Sequence, residues 1–443
     1  MKKVIITIIA VIVVASLMVA CLAGCNETTN NGTTNNGTNS GTNNGTNSGT
    51  NNDTNKYEGF KVGLICLHDK NSTYDKNFIN AMEEVQRELG LTNDQVIIKT
   101  GIPEGIECFN AAEEMVSNGC KVIIADSFGH EQYMIQAAKK YSNVLFCHAT
   151  GTKAHTEKLP NYVNAFASIY EGRYLAGVVA GMKLAELVAQ GKPAKVGYIG
   201  AFTYAEVISG YTSWFLGVRS IVPNVTMDVT FTGSWYDETA ENNAAKMLIE
   251  TKGCSLISQH ADSMGAPNAC EEAGVPNVSY NGSTAAACPD TFLVSSRINW
   301  APYYKYVIDA KIAGKTTADI GYDYTGTIET GSVQLTDLGT AVAEGTAAKL
   351  AEVKAGLADG SIKVFDTSKF TVTTRVGDVE TSGPLTTYKA DVDDMVGDDG
   401  KSDYVHETEV IANGEFQESK FRSAPYFDLT IDGINLLDTN YGD

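Results

Sequence analysis

KVGLICLHDKNSTYDKNF (61–78) and, further on, AKVGYIGA (194–201) decide the fold. Each opens as a short apolar run without polar alternation, the pattern of a strand buried on both faces. Around the first, strand and helix alternate. Asn77 to Gly90 carries Phe78, Met82, Val85 and Leu89 at helical spacing, and Gln95 to Lys99 reads as a strand. Cys108 to Gly119 reads as a helix, Cys120 to Asp126 as a strand, Gln132 to Tyr141 as a helix and Asn143 to Ala149 as a strand. The pattern then restarts. Gly172 to Ala189 is a long Ala/Gly/Leu-rich helix, followed by the strand at 194–201 and a helix from Glu206 to Ile221. Strands at 225–233, 254–260 and 275–281 follow, with helices at 238–251 and 267–273 between them. Strands bounded by helices of this length mean βαβ units and a parallel sheet. The expected architecture is α/β, with two doubly wound, Rossmann-like lobes joined by a hinge.

Upstream of this body lies an export signature. Lys2 and Lys3 precede an apolar run from Val4 to Ala20, and Leu22-Ala23-Gly24-Cys25 follows. Small residues before a cysteine, with leucine ahead of them, match a lipoprotein cleavage site, so residues 1–25 are expected to be a signal peptide and Cys25 the lipidation site. Cys21 fits the pattern less well. The apolar run is somewhat short of the roughly 20 residues that span a bilayer. Residues 26–57 are mostly Asn, Gly, Thr and Ser; too little apolar surface is available there to offset the entropy of ordering, so a flexible tether is expected.

Beyond the signal and tether remain about 390 residues, enough for two domains of ordinary size. The formal charge of −20 argues against a nucleic-acid partner held through phosphates. Seven cysteines lie beyond the signal (66, 108, 120, 147, 254, 270 and 288), with no CxxC spacing and most in apolar runs, the setting of buried free thiols. The expected limits are 58–165 for lobe 1 with part of 298–330, and 166–297 for lobe 2 with part of 331–365. Residues 366–443 read as a polar extension, whose acidic cluster (Asp391, Asp393, Asp394, Asp398, Asp399, Asp403, Glu407) lacks the register of a calcium loop.

In open parallel sheets ligands bind beyond the carboxyl ends of the strands. The segments there are His68 to Asp75 with Asn71 and Tyr74, then Asp126-Ser127-Phe128, Phe202 to Glu206, Ser234-Trp235-Tyr236, His260 to Ser263 with Asp262, and Tyr280-Asn281-Gly282. Aromatic faces for stacking stand beside short polar side chains for edge recognition, a lining suited to a flat, uncharged ligand. Any single aromatic at these positions is as readily lobe or hinge packing. Nucleophile-elbow, zinc-protease and phosphate-loop motifs are absent, the six histidines show no metal-ligand spacing, and no enzyme activity, cofactor or metal is expected.

The ordered series VGLICLHDKNSTYDKNF, ADSFGHEQ, YEGRYLAGVVAGM, VGYIGAF, GSWYDE and SQHADSMG resembles the basic-membrane-lipoprotein (BMP) family of ABC-transporter substrate-binding proteins, of the purine nucleoside receptor type, over about residues 60 to 340. The resemblance implies a type I periplasmic-binding fold with a three-strand hinge and the ligand in the cleft. It implies a ring sandwich from Tyr74 and Trp235, a polar contact at Asp75, and a ligand-facing loop at Asp262-Ser263. This chain departs from nucleoside-binding members in two places: Tyr280-Asn281-Gly282-Ser283-Thr284 replaces an acidic loop, and Asn299-Trp300 stands near a lysine position. Both family elements hold the ribose, and the NWAPYY sequence (299–304) is similar to receptors for purine-like bases. The candidate ligand-binding set is therefore Asn71, Tyr74, Asp75, Asp126, Ser127, Phe128, Trp235, Asp262, Ser263, Tyr280, Asn299 and Trp300. The expected function is a lipid-anchored receptor outside the cell membrane that passes a purine base or nucleoside to an ABC permease. The alternatives are a sensor presenting its closed form to a signalling receptor, and a surface enzyme acting on nucleosides.

Overall fold

The computed structural model describes residues 56–376, 379–392 and 408–438; the expected signal peptide and tether, Cys25 included, and the acidic positions from Asp393 to Glu407 lie outside the described residues. The first sheet orders its strands β11-β5-β4-β3-β1-β2. Here β1 is Lys61–Ile65, β2 Val96–Lys99, β3 Cys120–Ala125, β4 Leu145–Ala149, β5 Tyr162–Ala167 and β11 Asp323–Gly326. All of its pairings are parallel. The second sheet orders β12-β10-β9-β8-β6-β7 and then a strand at Ile434–Leu436. Here β6 is Lys195–Gly200, β7 Thr226–Phe231, β8 Leu256–His260, β9 Asn277–Tyr280, β10 Phe292–Ile298 and β12 Val333–Leu335. Only β12 runs antiparallel to its neighbour in this sheet.

Within each sheet the first five strands take the same spatial order, second-first-third-fourth-fifth, the doubly wound arrangement with its switch point between first and third. The sequence echo between 61–67 and 194–201 is thus the same strand of two similar lobes. The helix Thr73–Leu89 starts four residues before the spacing alone places it, because Ser72 caps it by accepting the Asp75 N–H. Gly90, at φ 65°, ends it. The helix predicted over 238–251 is α-helical only to Lys246 and finishes as a π turn over Met247–Thr251.

Three crossings join the lobes, and the sequence pattern does not single out their strands: β5 into the helix Ile169–Ala189, β10 into Ala301–Ile312, and β11 into β12. They bond to one another at the waist, Ser168 N–H to the Gly326 carbonyl and Asn299 N–H to that of Ser332. In lobe 2 the helix Ile169–Ala189 crosses Ala205–Ile221 so closely that a Cβ on Gly177 would overlap the Trp214 carbonyl, and one on Gly217 that of Tyr174.

The C-terminal region is less of an appendage than its polarity suggests. Phe370, Leu385, Val410, Phe416, Tyr426, Phe427 and Ile431 are buried in the lobe 2 core, with Phe427 stacked on Phe365 at 4.5 Å. Ile434–Leu436 extends the sheet beside β7. All seven cysteines among the described residues are buried and unpaired.

Candidate functional site

A small cavity lies between the lobes, beyond the carboxyl ends of their strands. Lobe 1 contributes Leu67, His68, Tyr74, Asp75, Ser127, Phe128 and Thr150; lobe 2 contributes Glu206, Trp235, His260, Asp262 and Tyr280. The lobes meet around it. The Thr73 N–H donates to the Asp262 carbonyl at 3.1 Å, and the Asn77 amide to Asn281 Oδ1 at 3.0 Å. Phe128 stacks on Tyr204 at 5.1 Å, and His68 lies 5.6 Å from Tyr236. This is a closed cleft.

On the lobe 1 side, the turn after β1 wraps around Asp75. Its Oδ1 accepts the His68 N–H at 2.8 Å and its Oδ2 the Ser72 hydroxyl at 2.6 Å. Burial pushes this carboxyl up, but the hydrogen bonds from His68 and Ser72 outweigh it and leave it below the usual range. Neighbouring Asp126 is fully buried, and burial together with the Asp75 charge drives its carboxyl well up. The two neighbouring carboxyls are thus pushed apart, Asp75 toward the ionised form and Asp126 toward the neutral acid. The Tyr74 hydroxyl donates to the Asp126 carbonyl at 2.7 Å, and its ring packs on Phe78 at 4.9 Å, so the phenol is held by both ends.

On the lobe 2 side, Trp235 meets Phe202 edge to face at 5.0 Å and lies 6.0 Å from Tyr204. Its carbonyl accepts the Asp262 N–H at 2.9 Å, tying the turn after β7 to the one after β8. Beneath the floor, the buried Arg173 guanidinium lies 3.3 Å from the Tyr280 ring centroid and donates to the Gln259 carbonyl at 3.1 Å. His260 Nε2 stands 3.5 Å from Glu206 Oε1. Burial, then the Arg173 charge, pushes His260 well down and keeps the imidazole neutral. Burial raises Glu206 to about 7. Asp262 is driven well up by burial and by the charges of Asp75, Glu241 and Glu206. Tyr280 and His260 line the cavity, and the Tyr280 hydroxyl and His260 Nδ1 are buried without hydrogen-bond partners among the described residues. Buried polar atoms rarely stay unpaired.

Seven of the residues singled out from sequence line the cavity: Tyr74, Asp75, Ser127, Phe128, Trp235, Asp262 and Tyr280. Asp126 sits directly behind them, its Oδ1 accepting the Leu67 N–H. Ser263 is buried beside the site, with its hydroxyl accepting the Gly265 N–H that opens the next helix. Asn71 is on the exposed part of the first loop. Asn299 caps a helix through the Ala301 N–H, and Trp300 stacks on Phe78 at 4.4 Å in the lobe 1 core, so neither lines the cavity. His68, Glu206 and His260 stand in the strand-end segments without having been picked as ligand-binding. Thr150, at φ 67°, follows β4, a strand end the sequence reading passes over. Nothing in the sequence marks Arg173; the ring above it is 107 residues further along the chain.

Cys66, Asp75 and Asp126 offer donor atoms within 4.8 Å of one another. Burial pushes the Cys66 thiol well up, away from the thiolate a metal requires.

Comparison with known proteins agrees with this geometry. Residues 64–364 match the family model described as ABC transporter substrate-binding protein PnrA-like. A purine-binding protein of Brucella abortus is 32% identical over 250 residues, covering 56% of this chain and 67% of that protein. A Haloferax volcanii protein named as an ABC-transporter glucose-binding protein is 30% identical over 258 residues, 58% of this chain and 62% of the relative. Among solved structures, a solute-binding protein from Aeropyrum pernix K1 has a TM-score of 0.59 at 16% identity, covering 69% of this chain and 93% of its own. One from Conexibacter woesei has a TM-score of 0.54 at 20% identity, covering 69% and 98%. At these identities the solved structures speak for the fold alone.

Proposed function

The chain belongs to the PnrA-like family of ABC-transporter substrate-binding proteins, and we propose that its ligand is an uncharged planar heterocycle, a purine base in preference to its riboside. The family is one of binding proteins rather than enzymes, and it implies a small-molecule ligand, a permease partner and a place for this protein outside the cytoplasm. The observation that carries the ligand reading is the lining itself. Tyr74, Phe128, Trp235 and Tyr280 supply ring faces, while Asp75, Glu206, Asp262 and the unpartnered Tyr280 hydroxyl supply edge contacts in a small closed cavity. The name of the Brucella relative supports the same class.

The preference for the bare base rests on two positions. Asn281 gives its Oδ1 to the lobe contact with Asn77, and Trp300 lies in the lobe 1 core; neither faces the cavity, and these regions are where the family's ribose-holding elements stand. Capture works by closure about the three crossings, and the ligand favours the closed state only through contacts made with both lobes. Anchoring through a lipid on Cys25 completes the proposal.

Calorimetry with adenine, guanine, adenosine, guanosine and glucose tests it, alongside mass spectrometry of small molecules released on denaturation. Bases binding at least as well as ribosides is the expected result. Glucose binding without purine binding, the outcome suggested by the name of the Haloferax relative, overturns the ligand class; a clear riboside preference overturns the finer reading.

A further inference from the structure

The segment Glu418–Tyr426 lies outside the residues matched to the family, yet it reaches the cleft. It is built as a rigid turn. The buried Arg422 side chain donates from Nε to the Ala424 carbonyl at 3.1 Å, from Nη2 to that of Pro425 at 2.8 Å, and from Nη1 to that of Asp391 at 3.3 Å. Glu418, also buried, accepts the Tyr426 N–H at 2.8 Å. Phe416 before it and Phe427 after it are planted in the lobe 2 core. Thus the turn moves with lobe 2.

Its tip touches lobe 1. The Ser423 N–H and hydroxyl both donate to Asp323 Oδ1 on β11, at 3.0 and 2.8 Å, and the Thr325 hydroxyl donates to the Ser419 carbonyl at 3.4 Å. The other Asp323 oxygen is held by His155 at 3.0 Å. Ala424 and Pro425 border a narrow side space with Phe128, Thr150 and Thr152 of lobe 1 and Tyr204, Ala205 and Glu206 of lobe 2. Phe128, Thr150 and Glu206 line the main cavity as well.

We propose that the turn tip Ser423–Pro425 is part of the binding site: Ala424 and Pro425 form its side wall, and the Ser423–Asp323 clasp closes on lobe 1 with the lobes, setting how slowly the ligand leaves. The proposal rests on the receptor reading above. Asp323 stands three residues before the hinge end of β11, about 10 Å along an extended strand, so lobe opening pulls it off a turn fixed to lobe 2. The clasp exists only in the closed form. Breaking it therefore speeds release without slowing capture, the usual way related binding sites differ in affinity.

The test uses the full mature chain, with guanine and adenine as probes and stopped-flow tryptophan fluorescence as the readout. Ser423→Ala and Asp323→Ala are each expected to raise the dissociation rate about five- to tenfold, with association rate and melting temperature little changed. The double variant should be no faster than the faster single one, since both remove one clasp. His155→Ala, which leaves Ser423 in place, should release at the wild-type rate. Dissociation within twofold of wild type in both clasp variants, or His155→Ala reproducing the effect, overturns the proposal while the purine reading stands. Should the wild type bind neither base, the purine reading falls and the clasp is judged without ligand by hydrogen exchange. Asp323→Ala should then speed exchange at least tenfold in 418–426 and in the facing wall at 148–153, and unchanged exchange overturns the clasp.

Discussion

Replacing Trp235 by alanine removes the largest ring face that lobe 2 offers the cavity. The side chain is partly buried and is braced edge-on by Phe202 at 5.0 Å and by Tyr204 at 6.0 Å. Those neighbours fix the indole before a ligand arrives, so little ordering cost opposes stacking. The backbone bond from the Asp262 N–H to the Trp235 carbonyl does not depend on the side chain and keeps the turn in place. Stacking of a base on an aromatic ring is worth about 1–3 kcal/mol by alanine substitution, or roughly five- to 150-fold in affinity. With the ring preorganised, Trp235→Ala is expected to weaken base binding at least about tenfold, near 1.4 kcal/mol. Calorimetry and thermal melting on the same preparation separate this from a packing role. A melting temperature lowered by several degrees with affinity within twofold of wild type would refute the reasoning, because it makes Trp235 lobe packing and moves the ligand elsewhere.

Three further outcomes follow from the same structure. Burial raises Glu206 and Glu241 to about 7 in the folded protein. Their protonated forms therefore favour folding, a contribution fully present below the unfolded value and lost as pH rises through about 7. The ligand-free melting temperature should fall by several degrees from about pH 5 to about pH 8, and Glu206→Gln should flatten part of that slope; a flat wild-type profile refutes it. Gly177→Ala drives a methyl into the Trp214 carbonyl at the helix crossing, and should lower stability by more than about 2 kcal/mol in chemical denaturation; a loss below about 0.5 kcal/mol would mean that the helices separate freely. Cys25→Ser should leave the protein out of the membrane fraction or with its signal uncleaved, and continued incorporation of labelled fatty acid into that variant would sink the lipid anchor.

The apolar runs at 61–67 and 194–201 carry most of the fold because a central parallel strand has no solvent face, and its composition alone marks it. The waist strands β11 and β12 are four and three residues long and only partly apolar, so no periodicity reveals them. The C-terminal region was illegible for a related reason. Buried side chains such as Phe370 and Phe416 stand singly between polar residues, and they reach the core by loop geometry rather than by a helical or strand period. At the site, strand ends led to Tyr74, Asp75, Phe128, Trp235 and Asp262, since the doubly wound order places every such end at the cleft. Arg173 escaped because its role is created by Tyr280, a partner no local pattern connects to it. Trp300 shows the opposite case: a polar-flanked tryptophan near a strand end that the fold turns into the lobe 1 core.

The charges around the cavity narrow the ligand further. Asp75 is held ionised by its hydrogen bonds, and the buried Arg173 guanidinium lies beneath Tyr280 on the other side. Asp126 and Asp262 are driven well up, toward the neutral acid, while Glu206 sits at about 7. The ionised Asp75 and the Arg173 guanidinium are thus of opposite sign, and burial biases the other carboxyls toward the neutral acid. A phosphorylated ligand would set new negative charge against Asp75 and Glu206, where two like charges about 4 Å apart cost on the order of 4 kcal/mol at an effective dielectric of 20. The formal charge of −20 on the chain opposes its approach as well. A protonated carboxyl both donates and accepts, and an ionised one accepts twice. Asp262 and Glu206 can thus meet a ring nitrogen and its neighbouring N–H together, while Asp75 takes a second N–H. The edge of a neutral nitrogen heterocycle satisfies that set without disturbing the balance of charge, and a sugar hydroxyl array leaves the ring faces of Tyr74 and Trp235 less well covered.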